Sequence, residues 1–75
     1  MRIEILGMGC SKCRNLHENV VKAAEEAGVS AEIIKVEDIS KIMEYGVMIT
    51  PALVINGEVR STGKVVSVDE IKKWI

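Results

Sequence analysis

Gly7-Met8-Gly9-Cys10-Ser11-Lys12-Cys13 joins an apolar, strand-like run to a helix-like run. Two thiols three positions apart at the first turn of a helix can be oxidised to a disulfide, reduced again, or hold a soft metal ion. A helix N-terminus carries unsatisfied amides and about half a positive charge, so a thiolate there ionises more readily than a free thiol. Cys10, at or just before the first turn, feels this most, and Lys12 and Arg14 add positive charge nearby. Cys13 lies one turn further in, on the apolar stripe, and is expected to be more buried and less ionised. The asymmetry gives the sulfurs different tasks: Cys10 attacks a target disulfide and Cys13 resolves the mixed disulfide.

Outward from this segment, Arg2 to Leu6 alternates charged and apolar residues before Gly7 and reads as a strand. Ser11 to Ala27 places Cys13, Leu16, Val20, Ala23, Ala24 and Ala27 at spacings of three and four, one stripe of a helix that Gly28 ends. Ala31 to Val36, with Ile33, Ile34 and Val36, reads as a second strand. Asp38 is a suitable N-cap for a short helix with Ile39, Ile42 and Met43 that ends near Gly46. A strand, a helix and a strand in this span predict a parallel pair.

The second half changes pattern. Thr50-Pro51 precedes the continuous apolar run Ala52-Leu53-Val54-Ile55, and Asn56-Gly57 connects it to Glu58-Val59-Arg60-Ser61-Thr62. Asn-Gly between two strand-like runs is a strong hairpin signal. The first run suits a central strand covered on both faces, the second an edge. A proline just before a central strand costs a ladder hydrogen bond unless it sits in a tight turn, which a cis Thr50-Pro51 bond supplies. This turn is expected to face the start of the first helix. Ser67-Val68-Asp69-Glu70 is a capping box, Val66 and Ile71 are placed to staple it, and Ile71, Trp74 and Ile75 form the apolar stripe of a last helix. The expected fold is therefore α/β, in the order β-α-β-α-β-β-α. It has a four-stranded mixed sheet of strand order two-one-three-four and three helices.

With 75 residues, the chain has room for one domain, residues 1–75, with one small core. Phe is absent, so a hydrophobic fraction of 48% implies an aliphatic core. Net charge is −1 with the signs interspersed, which argues against nucleic acid or an anionic membrane as partner. No apolar run approaches a membrane span, and the charged N-terminal stretch reads as a strand and not a signal peptide, so a cytoplasmic location is expected. Reducing cytosol disfavours structural disulfides and so favours a catalytic or metal-binding role for the close cysteine pair.

The CxxC after strand one, the Thr50-Pro51 before Ala52-Leu53-Val54-Ile55, the Asn56-Gly57 hairpin and Gly63 ahead of the last helix together resemble the thioredoxin/glutaredoxin-like superfamily. The likeness is closest to its small archaeal-type redox-active disulfide proteins and covers essentially the whole chain. The resemblance implies a thiol–disulfide oxidoreductase acting as a redox carrier, needing no cofactor and no resident metal. Its partners would be a disulfide-containing protein and an upstream reductase; the small size and shallow groove of such a chain suggest a monomer making transient contacts. It implies that Cys10 attacks and Cys13 resolves, that Pro51 is the cis-proline, that Thr50 pairs with substrate backbone, and that Gly63 lines the groove. Gly9, Ser11 and Lys12 stand where thioredoxins usually carry Trp, Gly and Pro; Gly9 and Ser11 would flank the docking groove and Lys12 would tune Cys10. Ser61-Thr62-Gly63-Lys64-Val65 differs from the Gly-Gly-Asp glutathione clamp of glutaredoxins, which points away from glutathione.

Met8-x-Cys10-x-x-Cys13 also resembles the soft-metal motif of copper chaperones, and two thiolates suit Cu(I). That family runs β-α-β-β-α-β and ends in a strand, unlike this chain. His17, four residues after Cys13, is a candidate third ligand or proton shuttle, with a solvent-facing helix position the simpler expectation. Glu4, six residues before Cys10, stands where thioredoxins can carry a buried proton acceptor, whereas strand alternation equally allows an exposed or half-exposed side chain. Met43 and Met48 are expected to fill core or turn.

Overall fold

The computed structural model of the protein describes residues 1–9 and 11–75. Its elements are β1 (Arg2–Leu6), α1 (Ser11–Ala27), β2 (Glu32–Val36), α2 (Ile39–Glu44), β3 (Ala52–Ile55), β4 (Glu58–Thr62) and α3 (Val68–Trp74). They build the expected four-stranded sheet, in the order β2-β1-β3-β4. β1 pairs parallel with β2 (Ile3 opposite Ile33) and antiparallel with β3 (Ile3 opposite Ile55), and β3 pairs antiparallel with the edge strand β4.

Local chemistry accounts for the turns and helix ends. Asn56 and Gly57 both take positive φ, +52° and +84°, the backbone a two-residue hairpin of this twist requires. The Asn56 side chain adds a bond of its own, accepting from the Arg2 amide at 3.0 Å and tying the hairpin to β1. Asp38 caps α2 by accepting from the Ser40 amide, and Ser67 caps α3 by accepting from the Glu70 amide.

Strand alternation splits the apolar residues between two faces. Ile3, Ile5, Leu53 and Ile55 meet Leu16, Val20 and Ala23 of α1, Val66 and Ile71 in one cluster. Leu6, Ala52, Val54 and Val36 meet Ile42 and Val47 in a second, against which Tyr45 and Ile34 pack. The sheet is thus sandwiched, with α1 and α3 on one face and α2 on the other. β3 is buried at all four positions, as its unbroken apolar sequence implies. Leu53, Val54 and Ile55 each contribute about 1.5–3 kcal/mol of hydrophobic stabilisation.

Three expectations need correction. Ala27 is exposed, and the buried stripe of α1 ends at Ala24. Trp74 and Ile75 are only half-buried at the end of α3, leaving Ile71 as that helix's buried anchor. Met43 and Met48 do not fill core: they are 69% and 96% exposed. In a helix as short as α2 a single position, Ile42, reaches the sheet, and the next residue is turned about 100° away. Of the two placements open for Glu4 the structure takes the buried one, because α2 covers that face of the sheet.

Candidate functional site

The first site residues lie where the C-terminal end of β1 meets the start of α1. Cys10, the expected attacking cysteine, lies outside the described residues. α1 begins at Ser11, with Ser11 and Lys12 both exposed, and Cys13 faces inward and is 7% exposed. Cys13 also heads the buried stripe that Leu16 and Val20 continue, which holds its side chain against the sheet.

Gly7 is the hub of the arrangement. Its amide donates to the Val36 carbonyl at 3.0 Å, extending the β1–β2 pairing by one residue. A Cβ built on Gly7 would lie inside 3.0 Å of the Cys13 sulfur and 3.9 Å from the Cα of Pro51. The sulfur of Cys13 and the Cα of Pro51 therefore both lie on the side of Gly7 to which a Cβ would project. The Thr50–Pro51 peptide bond is cis, as expected, with Pro51 buried and Thr50 exposed.

Gly63 completes the turn. Its amide donates to the Pro51 carbonyl at 2.8 Å, and its φ of +73° is one that side-chain-bearing residues rarely adopt. A Cβ there would also lie 2.8 Å from Cγ2 of Ile49. Three exposed apolar side chains rim the region: Met8 just before the cysteine pair, and Met48 and Ile49 just before Thr50-Pro51.

Beside Cys13 a groove of about 240 Å³ is bounded by Ile5, Gly7, Gly9 and Cys13, with the charged Arg14, Lys35 and Glu37. Gly9 lines the same groove as Cys13. Sequence reading missed Gly7, Lys35 and Glu37. For Gly7 a signal existed, a glycine closing a strand one helical turn ahead of a CxxC. The parallel pairing that brings Lys35 opposite Ile5 is not visible in the sequence.

The arrangement does not gather every candidate. Glu4 stands on the α2 face, opposite Ile34 and Val54, whereas its neighbour Ile5 lines the groove with Cys13 on the other face. Its carboxylate accepts a hydrogen bond from the Tyr45 hydroxyl and lies 3.8 Å from the Arg2 guanidinium. The bond to Glu4, and then burial, hold the Tyr45 phenol above its usual value. His17 is half-buried on α1. Among the described residues no group of three or more His, Cys, Asp or Glu is placed to hold a metal ion.

Comparison with known proteins agrees with this architecture. A family model described as a thioredoxin domain matches residues 1–75. The chain belongs to the thioredoxin-domain family. A thioredoxin of Methanocaldococcus jannaschii is 46% identical over 71 residues, covering 95% of this chain and 81% of that protein. A thioredoxin of Methanothermobacter thermautotrophicus is 40% identical over 73 residues, covering 97% of this chain and 95% of the relative. The thioredoxin-like fold thus extends over the whole length, and the sheet order and the three helices described above are its framework. No helix among the described residues is long and apolar enough to cross a membrane.

Proposed function

We propose that this protein is a thiol–disulfide carrier that exchanges electrons between an upstream reductase and disulfides of partner proteins. The reading rests on one observation above all: the buried sulfur of Cys13 and the Thr50–Pro51 turn converge on Gly7. In the exchange, the Cys10 thiolate attacks one sulfur of the partner disulfide, forming a mixed disulfide and releasing the partner's other sulfur as a thiolate. Cys13 then gives up its proton and attacks the Cys10 sulfur. The Cys10–Cys13 disulfide forms, the second partner thiol leaves, and the carrier has been oxidised by two electrons. A reductase restores the dithiol.

The remaining roles follow the same logic. Lys12, exposed beside the helix start, favours the thiolate of Cys10. Thr50 presents backbone at the rim, and Pro51, Gly63, Gly9 and Ser11 leave it free of bulky side chains. Met8, Met48 and Ile49 offer apolar contact to an unfolded or extended partner segment. The carrier works as a monomer in a reducing compartment and needs no cofactor.

The test is trapping. Cys13→Ser should accumulate a mixed disulfide with a protein substrate and Cys10→Ser should not. Equal trapping by both variants contradicts the assigned roles. Anaerobic purification with metal analysis and a redox titration against glutathione buffer gives the second check: a reversible two-electron couple is expected, whereas stoichiometric Cu(I) without one supports metal delivery instead.

A further inference from the structure

A carboxylate in the middle of a central strand is unusual, because desolvating it is costly unless hydrogen bonds compensate. Glu4 is 7% exposed between Ile34 and Val54, and its polar neighbours are Arg2 on β1 and the Tyr45 hydroxyl from the far end of α2. Tyr45 is the C-cap of α2, its amide bonded to the Ile42 and Met43 carbonyls. The chain then turns at Gly46, buries Val47 in the α2-face cluster and exposes Met48, Ile49 and Thr50 in succession. At Pro51 it is caught again, by the Gly63 amide. The segment carrying the exposed rim is thus a bridge held at both ends. Its first pier is the phenol–carboxylate bond, and Glu4 stands three residues before Gly7, the residue that follows β1.

We propose that Glu4 and Tyr45 are positioning residues. Their hydrogen bond refers the 46–51 bridge to β1, and so fixes where Met48, Ile49 and Thr50 meet a partner's disulfide-bearing segment. The proposal rests on the carrier reading above. It gives Glu4 a task on the α2 face, separate from proton transfer at Cys13, whose groove lies across the sheet. A hydrogen bond is directional, so it sets a position more sharply than ring packing alone. Tyr45→Phe keeps the ring and removes the donor; Glu4→Ala removes the acceptor; Glu4→Gln keeps a carbonyl oxygen that the phenol can donate to.

Backbone NMR order parameters at residues 47–50 should fall from the rigid range near about 0.85 to below about 0.6 in Tyr45→Phe and Glu4→Ala, and stay near wild type in Glu4→Gln. With dithiothreitol regenerating the dithiol and insulin as the disulfide substrate, KM for insulin should rise about fivefold in the same two variants with kcat unchanged, the mark of lost docking and not of lost chemistry. Unchanged order parameters in Tyr45→Phe, unchanged KM, or a kcat that falls in step with the folded fraction each overturn the proposal, as does Glu4→Gln behaving like Glu4→Ala. A wild-type protein that leaves insulin intact sinks the carrier reading alone, and the order parameters still decide whether Glu4 and Tyr45 hold the bridge.

Discussion

Gly7 and Cys13 share one space: the sulfur of Cys13 occupies the volume into which any side chain at position 7 would project. The backbone at Gly7 is held in place, because its amide is bonded to the Val36 carbonyl. Gly7→Ala should therefore displace the sulfur. We expect a loss of about 2 kcal/mol in urea unfolding, typical of overpacking, and faster alkylation of Cys13 in the reduced protein. Wild-type stability together with wild-type alkylation would falsify the shared-space account.

Gly63 combines a backbone requirement with a steric one. Its φ of +73° disfavours any Cβ, and that Cβ would also meet the Ile49 methyl at 2.8 Å. Gly63→Ala should cost about 1–2 kcal/mol. Ile49→Ala removes the crowding methyl, while the Ile49 Cβ itself stays 3.6 Å away. The double variant should thus recover the steric share and keep the backbone share. Fully additive losses in a thermal-unfolding cycle would show that the contact with Ile49 does not matter.

Ser61 presents an opposite case. Its hydroxyl is buried without a hydrogen-bond partner among the described residues, at a position paired with Leu53. Desolvating a hydroxyl without compensation is unfavourable, so Ser61→Ala should raise stability by about 1 kcal/mol. A drop in unfolding midpoint would reveal a partner for this oxygen.

Tyr45 gives the protein an alkaline limit. Its folded phenol titrates above the ordinary 10.0, first because of the bond to Glu4. The neutral phenol is favoured more in the folded than in the unfolded chain. The stabilisation is thus complete below pH 10.0 and disappears as pH rises through the folded value. Denaturant unfolding across this range should show wild type losing stability that Tyr45→Phe never had, so the two curves converge at high pH. Parallel curves would mean that the phenol does not titrate as part of this bond.

Residues whose conformation is set by near neighbours could be read directly. Asn56-Gly57 demands a hairpin because Asn and Gly tolerate positive φ, Asp38 and Ser67 demand helix starts because their oxygens reach amides two or three residues on, and the unbroken run Ala52–Ile55 demands a strand covered on both sides. Pro51 was legible for the same reason, since a proline ahead of such a strand leaves few backbone solutions. Glu4, Met48 and Gly7 were read incompletely or not at all. The burial of Glu4 depends on α2 crossing the second face of the sheet and delivering Tyr45 from 41 positions away. The exposure of Met48 depends on Val47 taking the buried place beside it.

Taken alone, then, the sequence settled the order of the elements, their caps and turns, and the place of Cys13 in the first turn of a helix, because those features arise from interactions within a few residues. What it left to the tertiary structure was adjacency. Which strand faces lie under which helix, that a methyl at Gly7 has nowhere to go, and that Tyr45 reaches Glu4 all follow from how the sheet is paired and covered. Packing at that range is a property of the whole chain and leaves no periodicity to read.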